Sequence, residues 1–304
     1  MIVGEVKGGL ANQMFQYAFY KTIANINNCD LILDLNFWNN DPSLLIQWNV
    51  DPKKTKVGNF ELNAFNIELK LTNKYDVDKL YILKYPFYKK FIVKKIYTQV
   101  EKLKPIHKKV IVKQKKTYYD SELLKIKSNT FISGFFQHHQ YLELYREFFF
   151  KKFTIKNNFV TDDFIKLKTK IRAVNSISIH VRRGDYVKLN HSCSLGYFDD
   201  SIIYIEERID NPIFYVFSDD INWCKKSLSF KSKPIFIDDQ YKLEDYHELM
   251  LMKYCKHNII SNSSFSWWGA WLNENTNKIV IYPDKIKETL NKDLCVESWV
   301  ELKN

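Results

Sequence analysis

Two adjacent arginines at the end of a short apolar segment have side chains well suited to binding a phosphate. Apolar residues alternate over Ile177–Val181, which predicts a β-strand, and Arg182, Arg183, Gly184 and Asp185 follow it. The chain has five arginines and 41 lysines, and two of the five arginines are adjacent at this position. A guanidinium can donate two hydrogen bonds to one phosphate group, and an ammonium cannot. The pattern predicts a pyrophosphate site at this strand end; an Arg–Asp pair that only stabilises the strand end is the alternative.

Polar clusters also follow two later predicted strands. One is Phe217–Asp220, and the other spans 261–271 and is rich in serine and tryptophan. Because parallel strands end at one edge of a sheet, we expect the three clusters to converge. The serines precede a predicted helix, whose free amides suit phosphate oxygens. Asp219 and Asp220 could hold a metal ion, but two arginines can neutralise phosphates without one; Ser218 and Asp219 are interpreted as ribose contacts or as a helix cap.

A glycine-containing turn lies near the start of the chain. Residues 2–6 form a predicted strand, residues 7–12 a loop with Gly8 and Gly9, and residues 13–27 a predicted helix. This order places backbone amides at a helix N-terminus, where they can bind an anion or a sugar. A tight turn without a ligand is the alternative.

Short apolar strands alternate with helices along the second half of the chain. This alternation predicts a parallel sheet covered by helices on both faces. The predicted strands are 176–182, 213–218, 234–238, 258–261 and 278–282, with helices at 199–208, 221–228, 243–255 and 265–273. The first half also opens as a βαβ unit. The sequence therefore predicts an α/β fold of two Rossmann-like domains facing a cleft, residues 1–156 and 157–304.

Motifs and composition exclude several classes of site. The chain has no GxxxxGK[ST] loop and no GxGxxG motif, which excludes ATPases and dinucleotide enzymes. The five cysteines form no C-x-x-C pair, and the His138-His139 pair has no third ligand nearby, so no metal site is expected. Neither a signal peptide nor an apolar run of about 18 residues is present, which predicts a soluble or peripheral protein.

The positive charge is concentrated in one segment. Residues 84–116 contain twelve lysines and one acid, a net charge of +11 that equals the net charge of the chain. A nucleic-acid-binding protein would spread its cations and include arginines, so no nucleic-acid partner is expected. Residues 87–103 show a helical pattern with apolar positions at Phe87, Phe91, Ile92, Ile96, Val100 and Leu103. This helix either contacts an anionic membrane or packs its apolar face into the first domain.

Taken together, the motifs resemble those of one known family. The segments Gly8–Ala18, His180–Tyr186, Phe217–Asp220 and Ser261–Leu272 are similar, in order and spacing, to the α-1,2-fucosyltransferases of glycosyltransferase family 11. The resemblance covers nearly the whole chain and is weakest over residues 36–130. It implies a GT-B-like fold, GDP-β-L-fucose as the donor, inversion at the anomeric carbon, and no cofactor or metal.

The resemblance also implies roles for individual residues. Arg182 would contact the β-phosphate with support from Arg183, and Asn12 would lie beside the donor. Asp185 is the candidate general base, and orientation of the arginines is its alternative role. Glu248 would read the guanine base. The other expected substrate contacts are Gly9, Gln13, His180, Ser218, Asp219, Ser263, Ser264 and Phe265.

We therefore predict an inverting α-1,2-fucosyltransferase that moves L-fucose to the 2-hydroxyl of a galactose-terminated oligosaccharide or glycolipid. The first domain is expected to face the acceptor and the second to bind GDP-fucose. Fucosylation at another position or sugar, and a catalytically silent glycan- or sugar-nucleotide-binding protein, are the alternatives. We expect a cytoplasmic location, with peripheral contact to the inner face of the cytoplasmic membrane through residues 84–116.

Overall fold

The chain folds as two compact units, each built around its own parallel sheet. The structure, a computed structural model, describes residues 1–38, 59–84, 96, 99–284, 294 and 296–304. Unit 1 comprises Met1–Asn63 and Ile67–Lys152, and unit 2 comprises Ala64–Asn66 and Phe153–Asn304. The two parallel sheets with their helices confirm the predicted α/β, GT-B-like fold class with two Rossmann-like domains.

Unit 1 contains a five-stranded parallel sheet in the order β3-β2-β1-β5-β4. The strands are β1 (Ile2–Glu5), β2 (Leu31–Asp34), β3 (Leu71–Thr72), β4 (Ile111–Lys113) and β5 (Thr130–Ser133). The described helices are α1 (Leu10–Ile26), α2 (Asp78–Lys84), α3 (Gln140–Glu143) and α4 (Arg146–Lys152). Helix α1 packs closely on β1 at Gly4: a Cβ added to this glycine would lie only 2.1 Å from the ring of Tyr20.

Unit 2 contains a six-stranded parallel sheet in the order β11-β10-β9-β6-β7-β8. The strands are β6 (Ser176–Val181), β7 (Ile213–Ser218), β8 (Ile235–Ile237), β9 (His257–Ile259), β10 (Val280–Pro283) and β11 (Val300–Leu302). The described helices are α5 (Asp162–Ala173), α6 (Gly184–Lys188), α7 (Leu195–Glu206), α8 (Ile221–Ser227), α9 (Asp245–Tyr254) and α10 (Ser264–Trp271). Strand β6 is central and fully buried.

The register of unit 2 brings the three predicted polar clusters to one edge of the sheet. Val181 of β6 lies beside Ser218 of β7, and Ile179 lies beside Ile259 of β9. The residues that follow these three strands therefore leave the sheet at the same level. The predicted convergence is confirmed, and it follows from the parallel direction of the strands.

The start of helix α1 and three short strands differ from the sequence prediction. Helix α1 begins at Leu10 rather than Gln13, because Gly9 is extended and serves as its N-cap; Asn12 thus lies in the first turn and not in the loop. The short strands β3, β4 and β11 were not predicted. Most of the predicted helix 87–103 lies outside the described residues. Among those that the structure describes, no helix is both long and apolar enough to cross a membrane.

Candidate active site

Arg182 is held by two carboxylates immediately after β6. Its Nη2 lies 2.8 Å from Oδ1 of Asp185, and its Nη1 lies 3.1 Å from Oδ2 of Asp219. The guanidinium also lies 5.4 Å from the ring centroid of Tyr186. The side chain stays partly exposed. These contacts fix the direction of the guanidinium and leave part of it accessible to a ligand.

Arg183 is fixed by a second set of contacts. Its Nε lies 3.2 Å from Oδ2 of Asp220, and its guanidinium lies 4.0 Å from the ring centroid of Trp223. Its backbone N–H donates to Oδ1 of Asp219 at 2.8 Å. Asp219 thus contacts both arginine residues, one through the side chain and one through the backbone.

Gly184 leaves the space that Asp219 occupies. A Cβ built at this glycine would lie 2.7 Å from Oδ2 of Asp219, which is closer than real Cβ contacts. The carboxylate could then not keep its distance to Arg182. An alanine at this position would therefore displace the Asp219 carboxylate.

Asp220 serves as a helix cap. Its Oδ1 accepts from the backbone N–H of Trp223 at 3.2 Å at the start of α8, and its own N–H donates to Oγ of Ser218 at 2.9 Å. The cap had been predicted at Ser218 or Asp219 and is instead formed by Asp220, the residue immediately before the helix. Within the described residues no group of three or more His, Cys, Asp or Glu side chains could hold a metal ion. The ribose contacts of Ser218 and Asp219 stay predictions.

His180 points from β6 toward the serine cluster. Its Nδ1 lies 3.0 Å from Oγ of Ser261, and its ring lies 5.5 Å from that of Phe265. Burial, and then the positive charge of Arg182, lowers the pKa of His180 to about 3. The imidazole is therefore neutral at physiological pH and orients the serine cluster through a hydrogen bond.

The serine cluster forms the beginning of α10. Oγ of Ser263 accepts from the backbone N–H of Phe265 at 3.3 Å and caps the helix, which starts at Ser264. The three tryptophans that follow, Trp267, Trp268 and Trp271, are buried. The predicted placement of these serines at a helix N-terminus is confirmed; their contact with a phosphate stays a prediction.

A cavity of about 410 Å³ opens beside these strand ends, a volume typical of small-molecule sites. It is lined by Ser218, Asp219, Asp220, Ile221, Asn222, Ile237, Asp238, Asp239, Lys242, Leu243 and Glu248. Sequence reasoning missed Asp238 and Asp239, although they follow a predicted strand, β8, and so carry the same signal as the other strand ends. The cavity brings three of the predicted residues together: Ser218, Asp219 and Glu248.

Glu248, on α9, is the most perturbed carboxyl group of this cavity. Burial, together with the negative charges of Asp245 and Asp239, raises its pKa to about 8. The group is therefore largely protonated at neutral pH when the cavity holds no ligand. A ligand that donates hydrogen bonds to it would favour the ionised form.

In unit 1, the predicted loop residues have different local roles. Gly8 has a φ of +79°, which favours glycine, whereas a Cβ built at Gly9 would meet no atom within 4 Å. Nε2 of Gln13 donates to backbone oxygens of Gly8 (2.9 Å) and Asn59 (2.7 Å), and Oε1 accepts from a backbone N–H at 3.0 Å. Gln13 thus has a structural role, and its contact with substrate stays a prediction.

Asn12 and Gly9 are better placed to meet a ligand than Gln13. Asn12 is partly exposed, and its Oδ1 accepts from Nε2 of Gln137 at 2.6 Å, which orients the amide. The space around Gly9 is open, so the fold itself does not exclude a side chain there. Gly9 is also the N-cap of α1, where glycine is among the preferred residues, so its contact with a ligand stays a prediction.

A buried ion pair beside this loop was missed by the sequence analysis. Nζ of Lys7 lies 2.8 Å from Oε2 of Glu5, and Oγ of Ser133 donates to the same oxygen at 2.5 Å. Burial raises the pKa of Glu5, but the charge of Lys7 and the bonds from Lys7 and Ser133 outweigh it and lower the pKa overall. The available signal was a glutamate near the end of the predicted strand with a lysine two residues later, at the start of the predicted loop.

Comparison with known proteins gives a match over nearly the whole chain. The family described as Glycosyl transferase family 11 matches residues 1–303. The chain is 34% identical to "Alpha-1,2-colitosyltransferase" of Escherichia coli, over 99% of each chain. It is 29% identical to mouse "Galactoside 2-alpha-L-fucosyltransferase Sec1", over 32% of this chain and 28% of the mouse protein. Among solved structures, fucosyltransferase NodZ from Bradyrhizobium is similar with a TM-score of 0.46 and 11% identity, over 88% of this chain and 91% of NodZ.

Proposed function

The chain belongs to glycosyl transferase family 11, and we propose that this glycosyltransferase moves L-fucose from GDP-β-L-fucose to the 2-hydroxyl of a galactose-terminated glycan. The observation that carries the proposal is the arginine pair at the carboxyl edge of the second sheet, beside a cavity of about 410 Å³. Each guanidinium can donate two hydrogen bonds to a phosphate group of a diphosphate. In α/β proteins, ligands bind at the carboxyl edge of the sheet, where this pair lies.

In this proposal, unit 2 binds the nucleotide. The guanine base enters the cavity, where Glu248 in its ionised form accepts from the N–H groups of guanine, and Ser218 and Asp219 meet the ribose hydroxyls. Arg182 and Arg183 contact the phosphates, and the amides at the start of α10 add further donors. Asp185 is exposed, so it can release one side of Arg182 when the diphosphate arrives.

Catalysis follows from the charge that develops as the sugar leaves. The anomeric carbon becomes positively charged while GDP gains negative charge. A guanidinium already fixed by carboxylates stabilises the leaving oxygen without reorganising, so it favours the transition state over the ground state. We propose Asn12 as a contact of the reacting sugar or acceptor, and Asp185 as the residue that orients Arg182 before the diphosphate binds. The 2-hydroxyl oxygen of the acceptor bonds to the anomeric carbon as the bond from that carbon to GDP breaks, and the hydroxyl proton leaves late to water or to a phosphate oxygen of GDP. The site needs no metal ion in this mechanism.

A second donor is favoured by one specific observation. The relative that is 34% identical over 99% of each chain is named as an α-1,2-colitosyltransferase. Colitose is L-fucose without its 3-hydroxyl, so GDP-colitose would carry the same nucleotide and the same stereochemistry at the reacting carbon. A pocket that hydrogen-bonds the 3-hydroxyl would reject colitose strongly, and a pocket that does not would accept both sugars.

One experiment separates these possibilities. The purified chain is incubated with GDP-β-L-fucose or GDP-colitose and a panel of galactosides, GDP release is measured, and the linkage of each product is determined by NMR. We expect GDP release with a galactoside and an α-1,2 linkage in the product. Donor binding without turnover on any acceptor would instead identify a silent binding protein, and another linkage would correct the position of transfer.

The cellular location also belongs to this proposal. We propose a cytoplasmic enzyme that contacts the inner face of the cytoplasmic membrane through residues 84–116, where lipid-linked galactosides would be its acceptors. The lysine content of this segment supports the contact, because each lysine near an anionic surface contributes about 1 kcal/mol.

A further inference from the structure

A hydrogen bond between two amide side chains joins the start of α1 to the turn that follows β5. Nε2 of Gln137 donates to Oδ1 of Asn12 at 2.6 Å, although the two residues are 125 positions apart in the sequence. Both side chains are partly exposed, and neither makes another side-chain hydrogen bond to the part of the chain that the structure describes. The NH₂ group of Asn12 and the amide oxygen of Gln137 therefore stay available to a ligand.

The turn that carries Gln137 is fixed by contacts of its neighbours. Oε1 of Gln114, which follows β4, accepts from the backbone N–H groups of Phe135 at 2.8 Å and Phe136 at 2.9 Å. Phe136 is fully buried, and its ring stacks on that of Phe19 of α1 with the centroids 3.9 Å apart. The turn is thus held against α1 without the Gln137 amide, so we expect a change of Gln137 to leave the fold intact.

Two glycines leave space around Asn12. A Cβ built at Gly8 would lie 2.9 Å from Nδ2 of Asn12, and a Cβ built at Gly9 would meet no atom within 4 Å. Helix α1 has no side-chain cap and no acidic residue in its first turn. The backbone N–H of Leu10, which begins the helix, has no hydrogen-bond partner among the described residues. This N–H is therefore a further donor in the same turn as Asn12.

The charged groups beside this turn neutralise each other. Nζ of Lys7 lies 2.8 Å from Oε2 of Glu5, and Lys7 is only 3% exposed. The groups left for a ligand are thus neutral amides, one of which is the oxygen of Gln137. That oxygen would repel a phosphate. A sugar hydroxyl both donates and accepts, so it can bond to the amide oxygen and to the NH₂ group.

We propose that Asn12 and Gln137, here called the amide pair, bind hydroxyl groups of a neutral sugar, which we assign to the acceptor galactoside. Oε1 of Gln137 accepts from one hydroxyl, and Nδ2 of Asn12 donates to the same hydroxyl or to its neighbour on the ring. Gln137 therefore contacts the acceptor and also orients Asn12. This inference rests on the proposed function for the identity of the sugar, because that function uses unit 2 for the nucleotide and leaves unit 1 for the acceptor.

Gln137→Ala tests the contact with the acceptor. The variant loses the amide oxygen and the support of Asn12, so KM for the galactoside should rise about 3- to 10-fold. The Kd of GDP and KM for GDP-fucose should not change, which separates the acceptor from the donor sugar as the bound molecule. Gln140→Ala, at an exposed glutamine three residues later, is the matched control and should leave all three constants unchanged.

Galactosides that lack one hydroxyl identify the bond itself. The probes are methyl β-D-galactoside and its 2-, 3-, 4- and 6-deoxy analogues, titrated by NMR in the presence of GDP so that no transfer occurs. Wild type should bind one analogue about 3- to 10-fold more weakly than the parent sugar because a hydrogen bond is lost. Gln137→Ala should bind that analogue and the parent sugar equally, since the bond is absent in both complexes. A purely structural role of Gln137 would not produce this pattern.

A double variant tests whether Gln137 also acts through Asn12. Asn12→Ala and Gln137→Ala each break the amide pair, so the loss of galactoside affinity in the double variant should be smaller than the product of the two single losses. The thermal unfolding midpoint of each variant verifies its fold. A double loss equal to the product would show that the two amides act independently and would overturn the positioning role of Gln137.

Four results would overturn the inference as a whole. These are no binding of the galactoside to wild type with GDP present, unchanged galactoside affinity in folded Gln137→Ala, the same pattern of losses over the deoxy analogues in both proteins, and a rise in KM for GDP-fucose alone. The last result would assign the amide pair to the donor sugar. Galactoside binding that depends on Gln137, in a chain that transfers no sugar, would support this inference and contradict only the proposed function.

Discussion

At the end of β6, two arginines are bound by carboxylates at 2.8–3.2 Å. In unit 1, by contrast, six lysines line a cavity of about 510 Å³ whose other lining residues are mostly apolar and include only two acids, Glu101 and Asp120. Both regions contain several cationic side chains, but the arginine pair is fixed in direction by Asp185, Asp219 and Asp220, whose three negative charges exceed its two positive ones. Several of the lysines are exposed on long, flexible stems. The fixed arginines suit one ligand in one orientation. The flexible lysines suit a partner whose negatively charged groups have no fixed arrangement.

This difference explains how a chain that is rich in lysine can still bind a diphosphate specifically. Specific binding requires donors whose geometry is set before the ligand arrives, since ordering flexible side chains costs free energy. The carboxylates supply that order at the arginine pair and reduce its net charge. The lysines that line the cavity of unit 1 outnumber the acids beside them, so that region keeps a net positive charge. The following predictions test whether the two regions differ in this way.

The largest effect is expected from Arg182→Lys. The variant keeps the charge but loses the two parallel N–H donors of the guanidinium. This should lower kcat/KM by about 10- to 150-fold, a loss of about 1.5–3 kcal/mol in transition-state stabilisation. Arg208→Lys, at an exposed arginine that pairs with Glu207, is the control and should have no effect on turnover. Near-normal activity of a folded Arg182→Lys variant would show that charge alone is enough there and would remove the distinction between the two regions.

A smaller loss is expected from Gly184→Ala. The added Cβ would displace Asp219 and disturb both arginines without touching the substrate, so we expect kcat/KM to fall about tenfold. Gly196→Ala, where the nearest atom is 3.9 Å from the added Cβ, controls for a glycine-to-alanine change in the same unit. Steady-state kinetics of the two variants, measured side by side, give the comparison. Equal activities would mean that the position of Asp219 does not matter.

A moderate pH dependence is expected from Glu248. Its pKa of about 8 means that the group must lose a proton before it can accept from guanine, so GDP affinity should rise with pH up to that value. Between about pH 7.5 and about pH 8.5 the gain should be about threefold. Calorimetric titrations with GDP would measure this pH dependence for wild type and for Glu248→Gln. Protonation of the GDP phosphates affects both proteins equally, so the difference between them reports on Glu248. A slope retained in Glu248→Gln would assign the titration to another group.

No effect is expected from metal removal. The arginine pair neutralises the phosphates, so turnover in excess EDTA should match turnover without it. Loss of activity in EDTA, with recovery on addition of Mn²⁺ or Mg²⁺, would show that the arginines are not sufficient and would return Asp219 and Asp220 to the role of metal ligands.

The sequence by itself predicted five of the six strands of unit 2, their parallel arrangement and the convergence of three strand ends, but not β11. Alternating apolar strands and helices require parallel connections, and parallel strands bring their carboxyl ends to one edge. Local hydrogen bonds were also predictable, because a cap and its helix are adjacent in sequence. The serines at the start of α10, where Ser263 is the cap, are an example, whereas the cap of α8 lies at Asp220 and not at the predicted Ser218 or Asp219.

The tertiary structure alone decided which charged groups meet. Ser133 and Glu5 are 128 residues apart, and no local pattern pairs them. Arg183 could have paired with Asp185, its near neighbour, but its Nε pairs with Asp220, 37 residues away. Strands of two or three residues, such as β3 and β11, are too short to show a period.

Three exposed apolar side chains of residues 96–103 also show what a sequence pattern leaves undecided. Periodicity placed Ile96, Val100 and Leu103 on one face of a helix, but it could not tell whether that face meets the domain or the solvent. The contacts of Glu101, buried with Lys104 and Val110, settled the direction. A sequence pattern fixes which side chains share a face, and only packing against the rest of the chain decides where that face points.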